Sequence, residues 1–164
     1  MTWTAHTTIA AVIEARGRFL MVEERTESGL VAFNQPAGHL DPNESLLDAV
    51  IRETREETGW KFLPAGVVGI YQWRVPPDGK TYLRFCFHGT CEDLHPDVPL
   101  DEGIIRAMWM TREELALQQP RLRSPMVLRC IDDYLSGVSH PLSILHSLVY
   151  PATNPVTFSG PESG

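Results

Sequence analysis

Cysteine is scarce: three residues in 164, Cys86, Cys91 and Cys130, with no C-x-x-C pair among them. An odd, scattered set argues against a disulfide framework and lacks the paired spacing of a thiolate zinc site. A reducing cytoplasm is the expected home. Long apolar runs are missing too. No stretch approaches the roughly 18 residues of a membrane span, and Glu14 interrupts the one apolar run near the N-terminus, so neither a membrane helix nor a secretion signal is expected. Positive charge is in deficit, with 14 Lys and Arg against 21 Asp and Glu and a formal net charge of −7. Such a chain repels nucleic acid polymers and membranes, and any polyanionic ligand needs a local explanation. Internal repeats are absent.

What is present is the composition of a globular protein, 43% hydrophobic and 21% charged. A chain this long buries roughly 70% of its unfolded surface without staples. A single domain is expected over residues 1–150, followed by a Pro- and Gly-rich tail over 151–164. Two β-rich runs, Thr7 to Glu14 and Phe19 to Glu24, flank the turn Ala15-Arg16-Gly17-Arg18. A short strand from Val31 breaks at Pro36 and Gly38, and a helix follows over roughly 44–58, stopped by Gly59. Strands are expected over 67–75 and 82–90, joined by Pro76-Pro77-Asp78-Gly79-Lys80, and again over 104–110. Thr111 and Glu114 have capping-box spacing, and Ser124-Pro125 opens a last helix that ends near Gly137. This order indicates an α+β fold, a mixed β-sheet sandwiched between helices, rather than alternating βαβ units.

The chemistry concentrates on the first helix. On a 3.6-residue period Leu46, Leu47, Val50, Ile51, Thr54 and Thr58 share one arc that faces the core. Glu53, Glu56 and Glu57 lie at i, i+3 and i+4 and crowd one edge of it, with Ala49 a turn below leaving space for a bulky phosphate. Arg52, Arg55 and Asp48 point elsewhere. Three like charges near a helix C-terminus repel each other and the macrodipole, an arrangement that makes sense around a cation. Oxygen-only ligands suit Mg²⁺ or Mn²⁺ better than zinc. The alternative is a solvated acidic helix end, partly neutralised by Arg52 and Arg55.

Competing motifs fail. Gly79-Lys80-Thr81 mimics the end of a P-loop, but the glycine required five positions earlier is Arg74. Asp41-x-Asn43-x-Ser45 starts like a calcium loop, yet its sixth and twelfth positions are Leu46 and Arg52.

Read with its preceding loop, the helix gives Gly38, five residues, Glu44, seven residues, then Arg52-Glu53-Thr54-Arg55-Glu56-Glu57-Thr58-Gly59-Trp60. This resembles the Nudix hydrolase signature, G-x5-E-x7-R-E-U-x-E-E-x-G-U with U bulky and apolar. Every fixed position matches, and Thr54 stands where the first U is expected. The resemblance implies that Glu53, Glu56 and Glu57 are metal ligands, one of them doubling as the base for the attacking water. Arg52 and Glu44 would pair to orient the helix, and the Gly38 carbonyl would be a further ligand. The family often takes another carboxylate from the loop before the last strand, where Glu102 is the candidate and Asp101 its rival. The implied reaction is hydrolysis of substituted diphosphates, in which metals neutralise phosphate charge and activate water.

Further stretches resemble the NudJ-type phosphatases within that family: Asn34-Gln35-Pro36-Ala37-Gly38-His39-Leu40, Gln72-Trp73, Leu83-Arg84-Phe85 and Leu122-Arg123-Ser124-Pro125. The subgroup releases orthophosphate stepwise from nucleoside tri- and diphosphates, and acts on thiamin diphosphate and hydroxymethylpyrimidine diphosphate. For a planar base the candidate contacts are Phe33, Trp73 and Tyr71, with Gln35 on the base edge, while His39, Arg84 and Arg123 are candidates for phosphate. The alternatives are an enzyme releasing pyrophosphate from nucleoside triphosphates or AMP from ADP-sugars, and a non-catalytic Nudix-like binding domain. The expected partner is a small-molecule diphosphate or nucleotide, and the chain is expected to be a monomer or homodimer.

Overall fold

The computed structural model describes residues 1–77 and 79–149. The strand β1 (His6–Ala15) is its spine, with six consecutive buried residues from Thr8 to Ile13. A run buried on both faces belongs to a central strand with layers on either side. β1 pairs in parallel with β6 (Thr81–Glu92) from His6↔Tyr82 to Ile13↔Gly89. Its other edge is shared. β4 (Ala37–His39) pairs with the first half at Thr8↔His39 and Ile9↔Gly38, and β2 (Arg18–Arg25) with the far end at Glu14↔Phe19. The remaining strands are β3 (Val31–Asn34), β5 (Lys61–Arg74) and β7 (Ile104–Met110). β3 and β7 pair with β2, and β5 pairs with β6, giving a seven-stranded mixed sheet.

Alternation along β1 divides the core in two. Ile9, Ala11 and Ile13 pack with Ala49 and Val50 of α1 (Leu46–Thr58). Ala10 and Val12 face the other way, onto Val127, Cys130 and Ile131 of α3 (Met126–Leu135). The sheet is thus sandwiched between helices, the α+β architecture expected. α2 (Arg112–Leu117) begins with the capping box on Thr111 and Glu114, in which both reciprocal hydrogen bonds form. No helix among the described residues is long and apolar enough to cross a membrane.

Two expectations need correction. β5 starts at Lys61, six residues before the expected Val67, because its pairing with β6 runs through Pro64 and Gly66 by shifting register there. A bulge accommodates residues that read as strand breakers. Ala49 is fully buried in the core beneath α1 rather than facing a substrate space. The expected tail over 151–164, and Tyr150 before it, lie outside the described residues.

Candidate active site

α1 is fixed at both ends. Ser45 caps it, its hydroxyl accepting from the Asp48 N–H at 3.0 Å. Gly59 ends it in the left-handed region at φ 77°, where a Cβ would meet the His95 carbonyl oxygen at 2.9 Å. The same helix end holds the long loop before β7. The His95 N–H donates to Gly59 O and the Asp101 N–H to Glu56 O, both at 2.9 Å. Helix carbonyls left without an internal partner thereby deliver an extra carboxylate to the acidic edge.

Glu53, Glu56 and Asp101 each offer an oxygen, all within 4.8 Å of one another, a spacing able to hold a divalent ion. Glu102, the first candidate from that loop, lines a separate shallow pocket with Arg25 and Glu27, so the cluster takes its neighbour Asp101 instead. Glu57 is outside this trio and much deeper than an edge position, only 5% exposed, and its Oε1 accepts from the Ala37 N–H at 2.7 Å. β4 therefore touches two of the acids, since Gly38 lies against the Glu53 carboxyl where any Cβ would overlap it. Gly38→Ala is expected to displace the Glu53 side chain, a flexible group, and to lower activity at least ~10-fold with little change in melting temperature. Steady-state kinetics and a thermal melt on the same sample check this.

Arg52 does not point away from the acids. Its guanidinium donates to Glu44 Oε1 at 2.7 Å, Glu53 Oε1 at 2.9 Å, Glu56 Oε2 at 3.1 Å and the His39 carbonyl at 3.1 Å. Glu44 also accepts from the Asp41 N–H at 2.7 Å. One arginine thus ties the loop before α1 to the helix and orients two of the carboxylates. Its hydrogen bond holds the Glu44 carboxyl below the usual range. Burial does the opposite at the centre. Desolvation pushes Glu53 up to about 7 against the pull of Arg52, with Glu56 and Asp101 adding to the rise. Glu57 is pushed well above its ordinary value by burial, opposed by the Ala37 N–H and reinforced by Glu53 and Glu24. Carboxyls raised by burial and by each other are lowered again by a positive charge among them, so the donor set fits a hard divalent cation.

On the opposite face of β4 and β1 a cavity of about 710 Å³ opens. Its wall takes in Ala37 and Gly38, so cavity and acidic cluster share β4. His39, Trp73, Arg84 and Arg123 all line it, and burial, with His6 and Lys80 nearby, lowers the His39 pKa. Three other candidates lie elsewhere. Phe33 is 4% exposed within the core on the α3 side, with the Arg121 guanidinium 4.8 Å above its ring. Gln35 is 1% exposed and spent internally: its amide donates to Val127 O at 2.6 Å and its oxygen accepts from Arg84 at 3.0 Å. Tyr71 packs against the core on the α3 side, and its hydroxyl donates to Asp133 at 2.8 Å. Residues that the sequence did not single out complete the wall, among them Thr8, Glu24, Asn34 and Tyr82. Arg123 Nε lies 3.2 Å from Glu24 Oε1, an ion pair whose angles miss those of a hydrogen bond.

Comparison with known proteins agrees with this geometry. The NUDIX domain model matches residues 4–129. The chain is 41% identical over 151 residues to Phosphatase NudJ of Escherichia coli strain K12, covering 92% of this chain and 97% of that one. The Shigella flexneri protein of the same name matches equally. Among solved structures, a NUDIX hydrolase from Nitrosomonas europaea superposes with a TM-score of 0.86 at 45% identity, covering 88% of this chain and 97% of its own. A MutT protein from Methanosarcina mazei Go1, 23% identical with a TM-score of 0.64 over 84% of this chain and 98% of its own, shares the fold. The chain belongs to the Nudix family. It is an enzyme of the phosphoanhydride-hydrolysing kind, acting on small diphosphate-containing molecules.

Proposed function

We propose that the protein is a Mg²⁺-dependent phosphatase of NudJ type. It releases orthophosphate from nucleoside tri- and diphosphates and from thiamin diphosphate or hydroxymethylpyrimidine diphosphate. The observation that carries the reading is the shared strand β4, with Gly38 against the Glu53 carboxyl on one side and against the 710 Å³ cavity on the other. A diphosphate whose organic group fills the cavity brings its phosphates to the acidic cluster. Glu53, Glu56, Glu57 and Asp101 are the residues that would hold Mg²⁺, with Mn²⁺ an alternative, and the Gly38 carbonyl would add a ligand. Bound there, the ion supplies charge neutralisation of the phosphates and a more acidic water.

The chain's own residues do the rest. Arg52 fixes the rotamers of Glu53 and Glu56, and Glu44 fixes Arg52. Water adds its oxygen to the terminal phosphorus, and one of its protons passes to a carboxylate of the cluster. The bond from that phosphorus to the bridging oxygen breaks, and the oxygen leaves with the shortened phosphate chain. One described body carrying one site accords with the single domain proposed over residues 1–150. The free thiols of Cys86, Cys91 and Cys130 accord with a reducing cytoplasm.

The test is product identity. With GTP and Mg²⁺, orthophosphate and GDP are the first products expected. Pyrophosphate and GMP as sole products would replace this reading with that of a nucleoside triphosphate pyrophosphohydrolase.

A further inference from the structure

Parallel and antiparallel pairing put two transverse rows of side chains on the cavity face of the sheet. In the first, Thr8 on β1 is opposite Arg84 on β6 and opposite His39 on β4, next to Gly38 and the acidic cluster. In the second, two residues along, His6 is opposite Tyr82, which is opposite Trp73 on β5. Side chains two apart on a strand share a face, so the rows lie about 6.6 Å from each other.

The rows differ in chemistry. Tyr82 and Trp73 line the cavity with near-parallel rings, 6.2 Å between centroids and 22° between planes, and His6 braces Tyr82 at 5.4 Å. Arg84 is 4% exposed, yet no carboxylate among the described residues pairs with it. Its Nη atoms donate only to the neutral amides of Gln35 at 3.0 Å and Asn34 at 3.3 Å, and its Nε has no hydrogen-bond partner. Glu24, the cavity's nearby carboxylate, makes its ion pair with Arg123 and feels Arg84 only at longer range. A buried cation held in place by amides, with no direct ion pair and only a share of the Glu24 charge, gains from an anion that a ligand supplies. Gln35 cannot swing away to relieve it, being anchored on Val127 O at 2.6 Å.

We infer that Trp73 and Tyr82 stack the planar ring of the substrate while Arg84 holds the phosphate that stays attached to that ring after hydrolysis. This deepens the function proposed above and rests on it for the reacting phosphate only. The row spacing selects a flat heteroaromatic ring joined to its phosphate by a few bonds, and disfavours aliphatic and bare inorganic diphosphates. Arg84 acts on the departing side, where negative charge grows as the bridging oxygen leaves. The aromatic row contributes affinity alone.

Binding separates this inference from the reaction itself. The full chain with Mg²⁺ is titrated by calorimetry with hydroxymethylpyrimidine monophosphate and with inorganic phosphate. The ringed compound is expected to bind at least tenfold more tightly. Trp73→Leu and Tyr82→Leu should each erase most of that ratio, while Arg84→Gln weakens both ligands and Arg84→Lys restores part of the loss. In turnover of ADP, the aromatic variants should raise KM and Arg84→Gln should also lower kcat. Equal effects of Trp73→Leu on ringed and ringless ligands, or an Arg84→Gln protein that binds both as tightly as wild type, would overturn the inference. A wild type that binds in this pattern but releases no orthophosphate would leave the inference standing and remove the function proposed for the site.

Discussion

Glu57→Gln is expected to lower kcat/KM at least ~100-fold with the fold intact, since even the outer partners of a metal site are worth 10- to 100-fold. The substitution is nearly isosteric, and the new amide oxygen still accepts the Ala37 N–H that Glu57 receives at 2.7 Å. What disappears is the charge. In the metal-free protein that charge is a burden, because burial raises the Glu57 carboxyl well above its ordinary value and Glu53 raises it further. The sign of the pH effect follows. A carboxyl with a raised folded pKa keeps its proton in the folded state when the unfolded chain has lost it, so stability falls as pH rises through that window. For Glu53 the window runs from the ordinary carboxylate range to about 7. Metal-free wild type should therefore lose melting temperature between about pH 5 and about pH 7, and Glu57→Gln should lose less. Mg²⁺ should restore the loss in wild type and do little in the variant. Differential scanning calorimetry with and without chelator checks both.

Arg52→Met is the second large effect. Arg52 is three-quarters buried and is bonded to Glu44, Glu53, Glu56 and the His39 carbonyl, so its removal leaves three carboxylates facing one another. The cost to stability is expected to be about 2 kcal/mol, below the 3–5 of a fully buried pair because water reaches part of the group. Activity should drop ~10- to 100-fold, the usual range for a residue that orients ligands. High Mg²⁺ should recover part of the stability, because the cation takes over the charge that Arg52 supplied, and should recover less of the activity. Urea denaturation and kinetics across a Mg²⁺ series measure the two separately.

Local spacing carries far in this chain. The acids on α1, the stop at Gly59 and the Glu44–Arg52 pair are all set within a couple of helical turns, where period and resemblance speak directly, although the helix begins at Leu46 behind a Ser45 cap rather than at 44. The misreadings come where pairing across the sheet decides. Phe33 and Gln35 sit in the core because β3 pairs with β2 and brings them beneath α3, a partner more than 90 residues away at Val127. Asp101 rather than Glu102 joins the cluster because a single backbone bond to Glu56 O sets the loop's register. Tyr82 and His6 are not among the candidates the sequence offers, because only the parallel β1–β6 register aligns them with Trp73. The deficit of positive charge, which first counted against anionic ligands, is itself unevenly placed. Acids gather at the α1 edge where a cation belongs, and Arg84, Arg123 and Lys80 line the cavity beside it.

Hydrolysis of ADP in oxygen-18 water, followed by phosphorus NMR, asks directly where the water attacks. If the acidic cluster holds the terminal phosphate and the organic group occupies the cavity, one labelled oxygen enters orthophosphate and none enters AMP. Label in AMP would mean that attack falls on the inner phosphorus, reversing the orientation assigned to the substrate and contradicting the account of the site.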